Sequence, residues 1–263
     1  MKLSTIITAY DRHELTQVHV RECMNSSRVP DEIIVVNDGG KDYLKELLQE
    51  LDIKTTLIYA KIQEDIPWNY TGARNLGYWL SRGDILAMED NDNIPSRDVY
   101  KQVIEFFEQT KEYGRVLSGN RKKVLLEDVL KNSYEEWKIL GTKPTHQDTQ
   151  FLLREVYMTV KGCDERFAGK YAWACADWRR RLDRAGIKTG NITESYTVVI
   201  DGETVTCKCV KTNEERGKTI HCPKCGLLHR RKSYRNYGLA RERDGHTQSP
   251  IGVLNFHYSW EQL

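Results

Sequence analysis

Two hydrophobic rhythms alternate along the first part of the chain. Short apolar, β-branched runs lie at about 2–10, 32–36, 55–59 and 85–88, each closed by polar or glycine-rich residues. Between them, stretches from about Arg12 to Ser26, Tyr43 to Leu51 and Tyr70 to Leu80 carry apolar residues at helical spacing. Glu32-Ile33-Ile34-Val35-Val36 is a near-continuous run of the kind buried on both faces of a parallel sheet. The β-α-β-α-β-α-β order predicts an α/β fold: an open, mostly parallel sheet with helices on both faces. Ligands of such sheets bind beyond the carboxyl ends of the strands, where Tyr10, Asp38 and the Glu89–Asp92 cluster are expected.

Farther along, Val99 to Tyr113 reads as an amphipathic helix with Val103, Ile104, Phe106 and Phe107 facing inward. Arg115 to Ser118 and Phe151 to Leu153 read as strands, with about 121–146 polar and irregular between them. The alternation through Val253 to Trp260 reads as a terminal strand.

The chemistry is expected at Met88-Glu89-Asp90-Asn91-Asp92-Asn93, where three carboxylates follow a buried strand. Carboxylates packed so closely raise one another's pKa unless a cation sits among them. Hard oxygen ligands suit Mg²⁺ or Mn²⁺, which combine one or two carboxylates with substrate phosphates. An acidic turn leading into the helix after Pro95-Ser96 is the other reading.

Composition adds limits. The 263 residues allow one large α/β domain with a small appendage, and the formal charge of +2 makes any electrostatic argument local. No window has the length of a transmembrane helix, and no signal-peptide core opens the chain. Seven cysteines without an export signal favour metal binding and free thiols over disulfides, in a reducing, cytoplasmic setting. Cys207-x-Cys209 and Cys222-Pro223-Lys224-Cys225, twelve residues apart, match a structural Zn²⁺ site of four thiolates, with His221 and His229 as alternative ligands. Reduced surface thiols are the alternative. The basic and aromatic run from His229 to Tyr237, with Arg241 and Arg243, either faces solvent, closes over phosphates, or grips nucleic acid.

Four segments in order, STIITAYDR (Ser4 to Arg12), EIIVVNDGG (Glu32 to Gly40), GARNLG (Gly72 to Gly77) and GDILAMEDNDNIP (Gly83 to Pro95), resemble the signatures of family-2-like glycosyltransferases with a GT-A fold. The resemblance implies Thr8, Ala9 and Tyr10 around a nucleotide base and Asp38 as its hydrogen-bond acceptor. Asp38 closing an Asx-turn is the alternative. It also implies Arg74 and Asn75 near the diphosphate, and a DxD metal turn laid on Asp90-Asn91-Asp92 in preference to Glu89-Asp90-Asn91. His257 stands where relatives place a histidine that completes the metal site.

Gly162-Cys163-Asp164-Glu165-Arg166-Phe167 and the following helix resemble the family's second signature. In inverting relatives a carboxylate at that helix start removes the acceptor's proton. Here Ala174-Cys175 occupies the place of the Glu-Asp pair, which leaves Asp177 or Asp164 as catalytic candidates.

The resulting expectation has three regions. They are a GT-A domain over 1–200, a zinc-ribbon-like insert with its basic loop over 201–245, and a returning segment over 246–263. The expected reaction is metal-dependent transfer from a nucleoside-diphosphate sugar, a UDP-sugar, to a hydroxyl of a glycan, a protein or a modified DNA base. A catalytically weak or inactive nucleotide-binding module, whose zinc ribbon binds a partner, is the alternative.

Overall fold

The computed structural model describes residues 1–10, 12–40, 43–66, 68–168, 174–201, 254 and 256–263. The opening rhythm becomes β1 (Leu3–Ala9), α1 (His13–Met24), β2 (Glu32–Asn37), α2 (Leu44–Gln49), β3 (Thr56–Ile62), α3 (Tyr70–Leu80) and β4 (Ile85–Asp90). β5 (Asn93–Pro95), α4 (Val99–Gln109), β6 (Arg115–Leu117), β7 (Arg121–Leu125), α5 (Leu126–Lys131), β8 (Thr142–Lys143), β9 (Gln150–Leu153) and α6 (Arg154–Thr159) follow. The last elements are α7 (Ala174–Arg184), β10 (Thr189–Asn191), β11 (Tyr196–Ile200) and β12 (Tyr258–Gln262).

The main sheet runs β10-β6-β9-β4-β1-β2-β3-β12, with β4, β1, β2 and β3 mutually parallel and β9 and β12 antiparallel to their neighbours. All seven residues of β1 are buried, as a strand covered on both faces requires. Alternate side chains feed two cores. Leu3, Ile7, Ile33, Val35 and Ala87 pack with residues of α1, α2 and α4, while Ile6, Ile34, Val36, Leu86 and Met88 pack with residues of α3, α6 and α7.

A second sheet, β5-β11-β7-β8, takes two of its four strands, β7 and β8, from the stretch expected to be irregular. β7 reads Arg-Lys-Lys-Val-Leu and buries only Val124 fully, so no alternating apolar pattern marks it. Val124, Ile94 and Val199 nevertheless build a third core with Leu15 and Val18 of α1. This sheet holds the far side of the acidic turn, since Val199 N–H donates to the Asp92 carbonyl at 2.8 Å.

Candidate active site

The carboxyl ends of β1, β2 and β4 converge on one rim. β1 and β4 are in register with Thr8 opposite Asp90, and Thr8 Oγ1 donates to the Glu89 carbonyl at 3.4 Å. Asp38 N–H donates to the Ala9 carbonyl at 2.7 Å, which clamps the ends of β1 and β2 together. The turn after β2 is closed by Asn37, whose Oδ1 accepts from Gly40 N–H at 2.9 Å, so the Asx-turn belongs to Asn37 and not to Asp38. Gly39 adopts φ 76°, and a Cβ on Gly40 would lie 2.0 Å from the Tyr10 carbonyl oxygen, so two glycines let these loops touch.

Asp38 is buried, and its Oδ1 has no hydrogen-bond partner among the described residues. Both amide atoms of fully buried Asn69 lack one too. Burial pushes the Asp38 carboxyl up to about 7; the Asn69 amide offsets part of this, and the charge of Asp65 adds to it. Buried polar groups without partners are rare in folded proteins, and these two form a polar recess at the end of β2. Tyr10 stands beside it, exposed, its hydroxyl donating to Asp65 Oδ1 at 3.0 Å.

Across the rim, β4 ends in Asp90, and Asp92 lies in the turn leading to β5. Burial raises the Asp92 carboxyl above the usual carboxylate range and the charge of Asp90 raises it further, against lowering by His146, Arg12 and Arg121. Arg74, on the first turn of α3, lies under this turn and donates through Nη2 to Asp90 Oδ1 and to the Asp148 carbonyl, each at 3.0 Å. Burial alone would lower the pKa of this guanidinium; Asp90 and Asp148 outweigh that and keep it charged. Its Nε is buried without a partner among the described residues.

Glu89 points the other way, into a closed network under the turn. Its carboxylate accepts from Tyr100 at 3.0 and 3.1 Å and from the Tyr196 hydroxyl, and lies 2.8 Å from His19 Nε2. The other ring nitrogen of His19 faces the Asn91 carbonyl at 3.3 Å. His19, Cys23 and Glu89 form a His/Cys/Glu cluster whose ligand atoms lie within 4.8 Å of one another, all buried. Burial, followed by the charge of Glu89, drives the Cys23 thiol well above its usual range, and its Sγ lies 3.1 Å from the Tyr100 hydroxyl.

Several expected residues lie elsewhere or are committed. Asn75 donates to the Cys163 carbonyl at 2.9 Å and to Glu165 Oε1 at 2.7 Å. Its Oδ1 accepts from Tyr157 at 2.6 Å and Cys163 N–H at 2.9 Å. Four bonds use the whole amide, which ties α3 to the 157–165 turn and leaves nothing for a phosphate. Asp177 accepts from Arg181 Nε at 2.9 Å in a buried pair, and Asp164 caps its own turn while pairing with Arg166 at 3.2 Å. Both carboxylates are neutralised by arginine.

His257 is not brought to the acidic turn. It lies exposed beside β3, its Nδ1 2.6 Å from Glu64 Oε1 and its carbonyl accepting from Gln63 N–H at 2.9 Å. In strand order this edge is four spacings from β4, about 19 Å. The histidine near the carboxylates is instead His146, which sequence reading passed over. Its Nδ1 is 3.6 Å from Asp90 Oδ2 and its Nε2 is 4.0 Å from Asp148 Oδ2. The segment containing Cys207, Cys209, Cys222 and Cys225 and the basic run after it lie outside the described residues. An 830 Å³ recess lined by Met1, Tyr78, Asp84 and Arg154 opens at the amino ends of the strands, away from this chemistry. Among the described residues no helix is long and apolar enough to cross a membrane.

A parallel α/β sheet with a polar recess after its second strand and a carboxylate turn after its fourth defines a GT-A-type domain. The family model for glycosyl transferase family 2 matches residues 4–158, and the chain belongs to that family. It is 29% identical over 165 residues to the uncharacterized glycosyltransferase YfnE of Bacillus subtilis, covering 59% of this chain and 40% of that protein. Among solved structures it is similar to residues 1–349 of S. aureus TarS in complex with UDP. The TM-score is 0.58 at 14% identity, over 76% of this chain and 61% of the other. It is also similar to the mannosyltransferase PcManGT of Pyrobaculum calidifontis in complex with GDP-Man and Mn²⁺. There the TM-score is 0.57 at 13% identity, over 82% and 59% of the two chains. The chain spans between 10% and 40% of the length of the curated relatives it matches.

Proposed function

We propose that this domain transfers a sugar from a nucleoside-diphosphate sugar, a UDP-sugar, to an acceptor hydroxyl, with Mn²⁺ or Mg²⁺ held by Asp90 and Asp92. The observation that carries the reading is the acidic turn. Asp90 and Asp92 sit together at the carboxyl end of β4, and Asp92 is raised by burial and by Asp90's charge. A cation between them relieves that repulsion, so the donor set fits a hard divalent ion. Such an ion, when bound, offsets charge developing on the departing diphosphate.

The protein's own groups do the rest. Asp38 accepts from a ring N–H of the base and the Asn69 amide donates to a neighbouring carbonyl, which uses the orphaned atoms of the recess and matches uracil. Thr8, Ala9 and Tyr10 wall that recess. Arg74, kept charged beneath the turn, adds a fixed positive charge under the diphosphate. TarS in complex with UDP and PcManGT in complex with GDP-Man and Mn²⁺ share the fold and support a nucleotide and a divalent cation as its ligands. Acceptors in keeping with the sequence are a glycan, a protein or a modified DNA base.

The test is calorimetric titration of the chain with UDP in Mn²⁺ and in EDTA, followed by release of UDP from a panel of UDP-sugars. Cation-dependent binding and release support the reading; binding unaffected by EDTA counts against it. A second reading, a nucleotide-binding module without turnover, is favoured by one observation. The helix start that carries a carboxylate in relatives is Ala174-Cys175 here, and Asp177 is paired with Arg181. Tight UDP binding without release of product supports that alternative.

A further inference from the structure

We propose that Asp148 is the general base that takes the proton from the acceptor hydroxyl, filling from another strand the role left vacant at Ala174-Cys175. This rests on the glycosyltransferase reading above.

The end of the β4–β9 pairing brings Asp148 close. β9 is antiparallel to β4 with Met88 opposite Gln150, and Asp148 lies in the bend that leads into β9 while Asp90 ends β4. Arg74 Nη2 fixes the juxtaposition, donating to Asp90 Oδ1 and to the Asp148 backbone carbonyl at 3.0 Å each. That guanidinium holds the backbone of Asp148 by a hydrogen bond and lies close enough for its charge to act on the carboxylate as well.

Asp148 differs from the two carboxylates expected to act. Asp177 and Asp164 each pair with an arginine. Asp148 Oδ1 is buried with no hydrogen-bond partner among the described residues, and its Oδ2 faces His146 Nε2 at 4.0 Å. Arg74 and Arg115 also feel its charge, and a further neighbour is Cys175, the residue at the vacant position. Burial first, and then the charge and hydrogen bond of Asp148, push that thiol up to about 11, so at neutral pH it is a weak S–H donor and not a base. The carboxylate missing from the start of α7 is thus present in space, supplied by the segment entering β9.

In the step assigned to it, the Asp148 carboxylate accepts the proton of the acceptor O–H. The oxygen's electron pair forms the bond to the anomeric carbon. The bond from that carbon to the diphosphate oxygen breaks, and its pair departs with UDP. Direct displacement of this kind inverts the anomeric centre.

The experiment uses the full chain with Mn²⁺ and UDP-glucose, UDP-galactose and UDP-GlcNAc, with water as acceptor. It compares wild type, D148N and D148G for UDP affinity by calorimetry and for UDP release. D148N is expected to bind UDP within about threefold of wild type and to release it about 10²–10⁴-fold more slowly, the usual contribution of a general base. Added formate is expected to restore release by D148G, which a structural role would not produce. Undiminished release by D148N overturns the proposal. Should D148N lose UDP binding, D148G decides alone: formate rescue supports the assignment and its absence overturns it. A wild type that binds UDP yet releases none overturns the base assignment, whereas one that binds no UDP sinks the glycosyltransferase reading itself.

Discussion

Arg74 Nη2 sits 3.0 Å from Asp90 Oδ1 and at the same distance from the backbone carbonyl of Asp148, joining α3, β4 and the segment entering β9 through one nitrogen. Replacing Arg74 by Ala strands both acceptors and removes the positive charge under the acidic turn. The expected loss is about 1–3 kcal/mol of stability, the cost of leaving buried polar groups unpaired. Weaker UDP binding is expected with it. Urea denaturation and UDP titration of R74A check the two effects separately. R74K keeps the charge but not the fork, and is expected to recover part of the binding.

Asp38 gives a pH signature. Burial pushes its carboxyl up to about 7 from the ordinary 3.8, so between these limits the folded protein holds a proton that the unfolded chain has lost. Stability therefore falls as pH rises through that window, and D38N is expected to be more stable than wild type at pH 8, by up to about 4 kcal/mol. Binding runs the other way. In the function proposed above ionised Asp38 would accept the N3–H of uracil, so affinity for UDP is expected to fall as pH drops below 7. D38N, unable to ionise, is expected to show a flat profile. Melting curves and UDP titrations from pH 5.5 to about 8.5 would reveal either trend.

The network around Glu89 supports the acidic turn from below. Tyr196→Phe removes one donor to a fully buried carboxylate and is expected to cost about 1.5–3 kcal/mol, the range for hydrogen bonds to charged groups. Because His19 links Glu89 to the Asn91 carbonyl, H19F is expected to loosen the turn itself. Mn²⁺ affinity measured for H19F and Y196F should then fall further in the first variant than in the second. Equal affinities would show that the turn does not depend on this support.

The four clustered cysteines lead to an elemental test. The CxC and CPxC pairs are expected to hold one equivalent of zinc per chain, measurable by inductively coupled plasma mass spectrometry. Serine at Cys222 and Cys225 is expected to abolish it. Zinc-free wild type purified without chelator would remove the zinc module from consideration.

Much of the fold was readable from local pattern. α3 runs from Tyr70 to Leu80 as its periodicity implied, and the buried runs became β1 to β4 within a few residues at each end. What local pattern missed depends on partners distant in sequence. β7 carries two lysines and one arginine in five positions and becomes a strand only because β11 and β8 pair with it. Asn75, read as close to phosphate, has its amide consumed by Cys163, Glu165 and Tyr157, contacts between residues more than eighty positions apart. His257 looked suitable because of its place near the end of the chain, whereas the antiparallel pairing of β12 with β3 fixes it on the opposite edge. The acidic turn was legible because its three carboxylates are neighbours in sequence. Asp148 was not, since only the packing of the segment before β9 against Arg74 of α3 brings it near them in space.

The long stretch between β11 and β12 has two fixed feet. Asp201, just past β11, pairs with Arg12 beyond the end of β1, and the His257 carbonyl is bonded to Gln63 beyond the end of β3. Both anchors stand on the rim where the parallel strands finish. The Arg12–Asp201 pair thus ties the second sheet to the end of β1, and the Gln63–His257 bond ties β12 to the end of β3, so the rim is braced on two sides by contacts nearly two hundred residues apart in sequence.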